Sequence, residues 1–505
     1  MKKFLTVLLA GLLAAMCVPF SGCSSSSGKT ILKICNCEDY IDEELLDMFE
    51  ERYPDIKVEY STYGTNENLY NELVINPNSY DLVVPSEYMI QKLATEGRLN
   101  KLDHDKLPGY EPSPYIEERL ENITFTVENG EYKGEEAKLS DFMVGYMWGT
   151  MGWVINPGKV NADDAKSWDG ILGNKKYNKK VTLKDSVRDT YLVSLALIYK
   201  NELLTAINNG NFGEVSEWLN KTDKETVKKV GDKLSSLKNS LYGFEVDSGK
   251  NDIVTGKIDA YVAWSGDAAY AIDEAEEKKV HLDYVVPEEG SNIWFDGLVM
   301  PSGSKNYDAV YKFLNFISEP ENVVKNMDYI GYSSIVAAPE SGVIFDYIAD
   351  NFDESEDEET GEVSIEGLIK VDLSYYFGNE DGENVVYVSE ESYGRLMAQY
   401  PTQNIIKRCA VMNYFDNETL TRINDMWAGV KGETFNTSTI IMVLVLVLII
   451  IAAIVLYRLR DKIKWLKLPE SKKSYAEKHD VFRAYSFITA RGKIRFYLIF
   501  KHSLH

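Results

Sequence analysis

Between residues 30 and 97, strand and helix patterns alternate without interruption. Residues 31–35 form an apolar run, residues 42–52 repeat apolar positions at helical spacing, and residues 56–60 return to a strand pattern. Residues 66–73 read as a second helix. Residues 80–84 are a short apolar strand of the buried, parallel kind, and residues 89–96 a third helix ended by Gly97. This βαβαβα order predicts an α/β fold with a largely parallel sheet. Ligands of such sheets sit beyond the carboxyl ends of the strands, which places a site at the loops 36–40 and 85–88.

A second α/β block follows Tyr146-Met147-Trp148-Gly149-Thr150. It has a strand over 180–183, a helix after Asp185-Ser186, and more helix to about Leu241, where Gly243 is expected to stop it. A turn at Gly256 leads into a buried strand ending at Trp264. The chain then returns to the first block near Leu298-Val299-Met300-Pro301, ahead of a helix over 307–317. The expected organisation is one lobe made of residues 30–150 and 298–430, a second lobe of residues 151–297, and a hinged cleft between them. The acidic run 350–362 reads as a solvated loop, with local concentration of cations as the alternative.

The formal charge of the 505 residues is -25. Residues 457–505 hold 13 Lys and Arg against 4 Asp and Glu, and residues 1–22 add Lys2 and Lys3; setting aside this +9 and +2 leaves -36 on the body. Such a body argues against nucleic acid as a partner, since phosphate binding needs clustered Lys and Arg, and it suits cationic ligands. Residues 1–22 have a basic start, an apolar run and small residues before Cys23, the pattern of a lipoprotein signal peptide with Cys23 as the lipidation site and a Ser-rich tether over 23–29. Residues 439–457 carry no charge and are long enough to cross the hydrocarbon core as one C-terminal transmembrane helix. The bases that follow place the tail 458–505 in the cytoplasm and the acidic body outside the cell membrane.

Five cysteines are too few for a disulfide framework. Cys35 and Cys37 share a strand face two residues apart, too close in sequence to bridge without strain. His104 and His281 are the body's only histidines, which argues against a His-based metal site or a Ser/Cys–His hydrolase. No metal or cofactor is expected.

Several short stretches occur in one order along the body: Asn36 to Tyr40 after the first strand; Tyr60-Ser61-Thr62-Tyr63 with Asn66-Glu67; Tyr80-Asp81-Leu82-Val83-Val84-Pro85-Ser86; Tyr146-Met147-Trp148-Gly149-Thr150; Trp264-Ser265-Gly266-Asp267; Pro287-Glu288-Glu289-Gly290; Ile293-Trp294-Phe295-Asp296; and Ile330-Gly331-Tyr332. With them, residues 31–427 resemble the spermidine/putrescine-binding proteins of bacterial ABC polyamine importers. The resemblance implies a two-domain periplasmic-binding-protein fold of type II-like topology, a polyamine ligand, and an ABC permease with its ATPase as partners. A polyamine is a flexible apolar chain with ammonium groups at fixed separations, so its burial needs carboxylates at the charges and aromatic faces along the methylenes. By the resemblance, Asp296 pairs with an ammonium, Trp294 and Trp264 form aromatic walls, and Tyr40, Ser86, Tyr88 and Tyr332 complete the cleft. Asp267 matches the carboxylate of the putrescine-preferring branch, and Asp189 falls where the family places an acid near a helix start.

Two positions depart from the family. The aromatic residue expected after Asn36 is Cys37, followed by Glu38 in place of Ser or Thr, and Ser186 stands where the spermidine-binding branch has Asp. Glu38 is open between ligand pairing and solvent, and Tyr332 between ligand contact and hinge packing. Asp189 also suits the positive end of its helix, while Asp267 also suits a cap near Ala268. Trp148 and Trp153 are assigned to the core. The function that follows is capture of putrescine or spermidine, with no reaction catalysed. The alternatives are a binder of another small cationic solute or a surface carbohydrate-active hydrolase with paired acids. A surface protein that signals through its tail is a third.

Overall fold

The first strand, β1 (Thr30–Cys37), alternates exposed and buried positions and then is buried through Ile34, Cys35 and Asn36, and it runs two residues past the expected end. α1 (Glu44–Arg52) buries Leu45, Leu46 and Phe49, and β2 (Ile56–Tyr63) pairs with β1 in parallel along its length. α2 (Asn66–Ile75) begins at Thr65, whose hydroxyl accepts from the Asn68 N–H as an N-cap. β3 (Leu82–Val83) lies on the other side of β1, and α3 (Glu87–Thr95) starts directly after Pro85-Ser86. These data come from a computed structural model, which describes residues 28–356 and 362–432.

β4 (Met143–Ile155) is buried at every position, as its continuous apolar pattern requires for a strand covered on both faces. It is followed by β5 (Val181–Lys184) and α4 (Val187–Ile198). The expected helical stretch to Leu241 is divided into four helices that end with α5 (Lys224–Lys238). Gly243 does not stop a helix: the last one ends at Lys238, and Gly243 opens β6 (Gly243–Glu245) beside β5. β7 (Ala260–Trp264) runs straight into α6 (Ser265–Glu277), and β8 (Asp283–Val285) precedes β9 (Ser291–Val299). α7 (Tyr307–Ile317) has the expected bounds; after it come α8 (Pro320–Ile330), β10 (Ser333–Ser334), β11 (Cys409–Ala410) and α9 (Asn417–Lys431).

The main strand order is β2-β1-β3-β9-β4-β7-β5-β6. Parallel strands form each end, and the antiparallel pair β9 and β4 joins them. β4 passes from one lobe to the other without a break. Thr150 still pairs with Ile293 in the first lobe, whereas Met151 pairs with Trp264 in the second. β9 returns to the first lobe at about Ile293, ahead of the expected 298. The stretch expected to belong wholly to the first lobe also divides. Ile423 and Val430 of α9 join a core with Val227, Val230 and Leu234 of α5, and Phe244 meets Trp427 edge to face at 5.1 Å. Trp148 and Trp153 are core residues, as the sequence reading had them.

Residues 357–361 of the acidic run, Cys23 with the leader, the apolar segment 439–457 and the tail 458–505 lie outside the described residues. Among the described residues, no helix is long and apolar enough to cross a membrane.

Candidate functional site

Asp296 lies where the ladder between β9 and β4 slips. Phe295 faces Trp148 and Gly297 faces Gly145, so Asp296 alone stands against Tyr146 and Met147. Such irregularities re-aim a side chain. Asp296 instead forms a bridge with Ser86, at the loop between β3 and α3. The Tyr40 hydroxyl donates to Asp296 Oδ2 at 2.7 Å, while Oδ1 has no partner among the described residues. Burial pushes this carboxyl up to about 6, against the hydrogen bonds from Tyr40 and Ser86 that favour the ionised form.

Tyr40 is set by the turn after β1. Asn36 accepts from the Cys37 N–H and donates to the Tyr40 carbonyl, and Asp39 takes φ 51°, a left-handed conformation that Asp tolerates. The Tyr40 ring meets Tyr332 edge to face at 5.1 Å, and Tyr332 lies 5.7 Å from Trp294. Tyr332 follows Gly331, whose φ of 75° ends α8 just before β10, and its side chain reaches α6 of the second lobe. There its ring covers Gly266, where a Cβ would come within 2.3 Å of it. The Tyr332 hydroxyl donates to Asp267 Oδ1 at 3.2 Å. Two tyrosines in mutual contact therefore lead from Asp296 of the first lobe to Asp267 of the second.

Asp267 sits in the first turn of α6, three residues after Trp264. Lys184 Nζ, at the end of β5, lies 3.1 Å from Asp267 Oδ2 and 4.1 Å from the centre of the Trp264 ring. Burial works to raise the Asp267 carboxyl, but Lys184 and Lys250 outweigh it and hold it below the usual range. Asp189, in the first turn of α4, is buried, and its backbone N–H is capped by Ser186. Burial raises its carboxyl against hydrogen bonds from Ser186 and Trp264. Asp189 thus stands at the helix start, the position that suits its charge, and lies beside Trp264.

Tyr88 reaches the second lobe through Arg188, whose guanidinium lies 4.3 Å from the Tyr88 ring and 3.8 Å from that of Phe415. The Tyr88 hydroxyl donates to Glu67 at 3.2 Å. Beneath it, Glu87 is 2 % exposed and accepts from the Phe295 N–H at 3.1 Å. Burial drives the Glu87 carboxyl up to about 8 despite that bond, and the charge on Asp296 adds to the rise. A carboxyl whose folded value is raised binds more protons in the folded state between its ordinary value near 4.5 and 8, so stability falls as pH rises through this window. Glu87→Gln is accordingly expected to raise the melting temperature at pH 8 and leave it nearly unchanged at pH 4.5, in scanning calorimetry at the two values; equal shifts at both would remove the ionised carboxylate as the cause.

Glu38 is not drawn into this cluster: it is exposed on the turn, and among the described residues no hydrogen bond ties it to Asp296 or Asp267. Its neighbour Cys37 is half-buried, and its thiol is pushed up to about 12, by burial first and then by the charges of Asp296, Glu38 and Asp267. The position expected to carry an aromatic wall therefore presents a protonated thiol near both carboxylates. Sequence reasoning also missed Lys184, Arg188 and Glu87. Lys184 had one signal, a lysine ending the otherwise buried strand Val-Thr-Leu-Lys, where an ammonium needs a partner.

A two-lobed α/β body with acids and aromatics from both lobes at their junction matches one family model. Residues 44–341 fit the bacterial extracellular solute-binding proteins. The chain belongs to this family. This solute-binding protein is 30% identical to the putrescine-binding periplasmic protein SpuD of Pseudomonas aeruginosa, over 67% of the chain and 86% of the relative. It is 28% identical to the spermidine/putrescine-binding periplasmic protein of Salmonella typhimurium, over 66% of the chain and 84% of the relative. Among solved structures, the spermidine/putrescine ABC transporter substrate-binding protein PotD from Streptococcus pneumoniae superposes with a TM-score of 0.55 at 27% identity, covering 80% of this chain and 99% of that one.

Proposed function

We propose that this solute-binding protein captures putrescine or spermidine between its lobes and delivers it to an ABC permease and its ATPase, catalysing no reaction. The observation that carries the reading is Asp296, a buried carboxylate with one oxygen unpartnered among the described residues, beside the rings of Tyr40, Tyr332 and Trp294. A buried anion with an unused acceptor calls for a cation, and aromatic faces around it favour an alkylammonium over a hydrated metal ion. The names of the relatives support the same ligand class. Glu38 is left out of the proposed contacts; Tyr40, Ser86, Tyr88, Asp189, Trp264, Asp267, Trp294, Asp296 and Tyr332 remain. The lipid anchor at Cys23, the single span at 439–457 and the cytoplasmic tail belong to this reading and hold the body at the outer face of the membrane.

Isothermal titration of the full chain in detergent with putrescine and with spermidine tests the proposal. Saturable, stoichiometric binding is the expected result. Absence of binding by both amines overturns the polyamine assignment.

A further inference from the structure

Asp296 stands between two backbone N–H groups that both turn toward the chain leaving β3. The Gly297 N–H donates to the Pro85 carbonyl at 3.2 Å, and the Phe295 N–H donates to Glu87 Oε2 at 3.1 Å. As a strand, β3 meets β9 at Val83 and Val299, so at Asp296 the loop 85–86 and the first turn of α3 take its place. Ser86, which forms the bridge with Asp296, is fixed in turn by Asn66. Asn66 Oδ1 accepts from the Ser86 N–H at 3.2 Å, and its amide donates to Ser86 Oγ at 3.1 Å. The slip in the ladder leaves Asp296 without a register partner on β4, so what aims it comes from this other side. An acid in the first turn of a helix commonly faces solvent, where its charge suits the helix end, but Glu87 is turned inward and buried.

We infer that Glu87 is a positioning residue for the cleft: with the Pro85 carbonyl it clamps the backbone on both sides of Asp296, and so holds the unpartnered Oδ1 where an amine is taken. The inference rests on the polyamine reading above and deepens it. A buried N–H that loses its acceptor must find another, and the peptide at Phe295 would turn to do so and carry Asp296 with it. Glu87 acts through that peptide. Arg188 of α4 and Tyr88 of its own helix also face it, while Tyr40, Cys37 and Tyr332 face Asp296. At pH 7 the Glu87 carboxyl, raised to about 8, is mostly protonated, so a neutral side chain with the same acceptor oxygen can replace it.

The test is titration of the full chain in detergent with putrescine and with spermidine, between pH 5 and 7, for the wild type, Glu87→Gln, Glu87→Asp and Glu87→Leu. Gln keeps the acceptor oxygen, Asp draws the carboxyl back by one methylene, and Leu removes it. At pH 7 Glu87→Gln is expected to bind within about threefold of the wild type, and Glu87→Asp and Glu87→Leu about tenfold weaker or more. The pH below which affinity falls is expected to stay at about 6 in Glu87→Gln. In the other two it is expected to move down by about half a unit or more, because Asp296 released from its clamp loses part of the burial that raises it. A side chain that only stabilised the fold would lower the melting temperature without moving that pH. Should Glu87→Leu not fold, Glu87→Asp decides, since an acid suits the first turn of a helix. An unmoved pH profile in a folded Glu87→Asp or Glu87→Leu overturns the inference whether or not affinity falls, as does a loss in Glu87→Gln equal to that in Glu87→Leu. These results leave the polyamine reading standing, whereas absence of amine binding by the wild type removes both.

Discussion

Asp296→Asn is expected to weaken polyamine binding by roughly 150-fold or more, because removing one partner of a buried, hydrogen-bonded ion pair costs about 3–5 kcal/mol. Asn keeps the size of the side chain and the contact to Tyr40, which donates to Oδ2 at 2.7 Å, so the loss isolates the charge. The same carboxyl makes binding pH-dependent. Its value in the free protein is raised to about 6, chiefly by burial. Above that pH it is ionised and ready for an ammonium; below it, a proton must leave before the cation binds. Affinity of the wild type is expected to fall by about tenfold per unit as pH drops below 6, with proton release on binding, while Asp296→Asn shows no such slope. Titration calorimetry at pH 5, 6 and 7 in buffers of different ionisation enthalpy reads both. A variant that binds as tightly as the wild type at pH 7 would take Asp296 out of the site.

The second large effect is expected at Arg188. Its guanidinium is buried between the Tyr88 ring of the first lobe and Phe415, and it donates to the Asn413 carbonyl. Glu67 and Asp189 supply negative charge around it, while Glu87, raised to about 8, is largely protonated at pH 7. Arg188→Met removes the cation those acids face and the planar group stacked on both rings. A fall of roughly 5–10 °C in apparent melting temperature is expected from the cost of uncompensated buried charge. Arg188→Lys restores charge without the stack and is expected to recover only part of the loss. Scanning calorimetry at pH 7 makes the comparison, and a wild-type melting temperature for Arg188→Met would show that the guanidinium holds neither lobe.

Much of the frame was legible because it rests on local pattern. The strands at 31–35 and 56–60 and the helix at 307–317 are amphipathic or wholly apolar segments whose periodicity survives in any tertiary setting. Asp296 was legible as a candidate for a related reason. An acid inside an apolar strand is costly unless it has a task, and the structure confirms its burial without a full set of partners. Gly243 misled because glycine signals both a helix end and a strand start, and only the pairing of β6 with β5 separates the two. Glu38 was left open between ligand and solvent because exposure cannot be read from its neighbours in sequence, and the turn that contains the left-handed Asp39 leaves it exposed.

The sequence by itself determined the α/β class, the order of strands and helices, the acidic body between two apolar segments, and the acids and aromatics able to meet a cationic chain. These follow from residue type and spacing, which are properties of short segments. Tertiary structure alone decided which charges remain for a ligand. Lys184 and Asp267 are 83 residues apart, and Glu87 and the Phe295 N–H are separated by 208. Whether a buried carboxylate faces a lysine or an unfilled acceptor position depends on which strand ends the sheet brings together, and electrostatic pairing acts over a few ångströms regardless of distance along the chain.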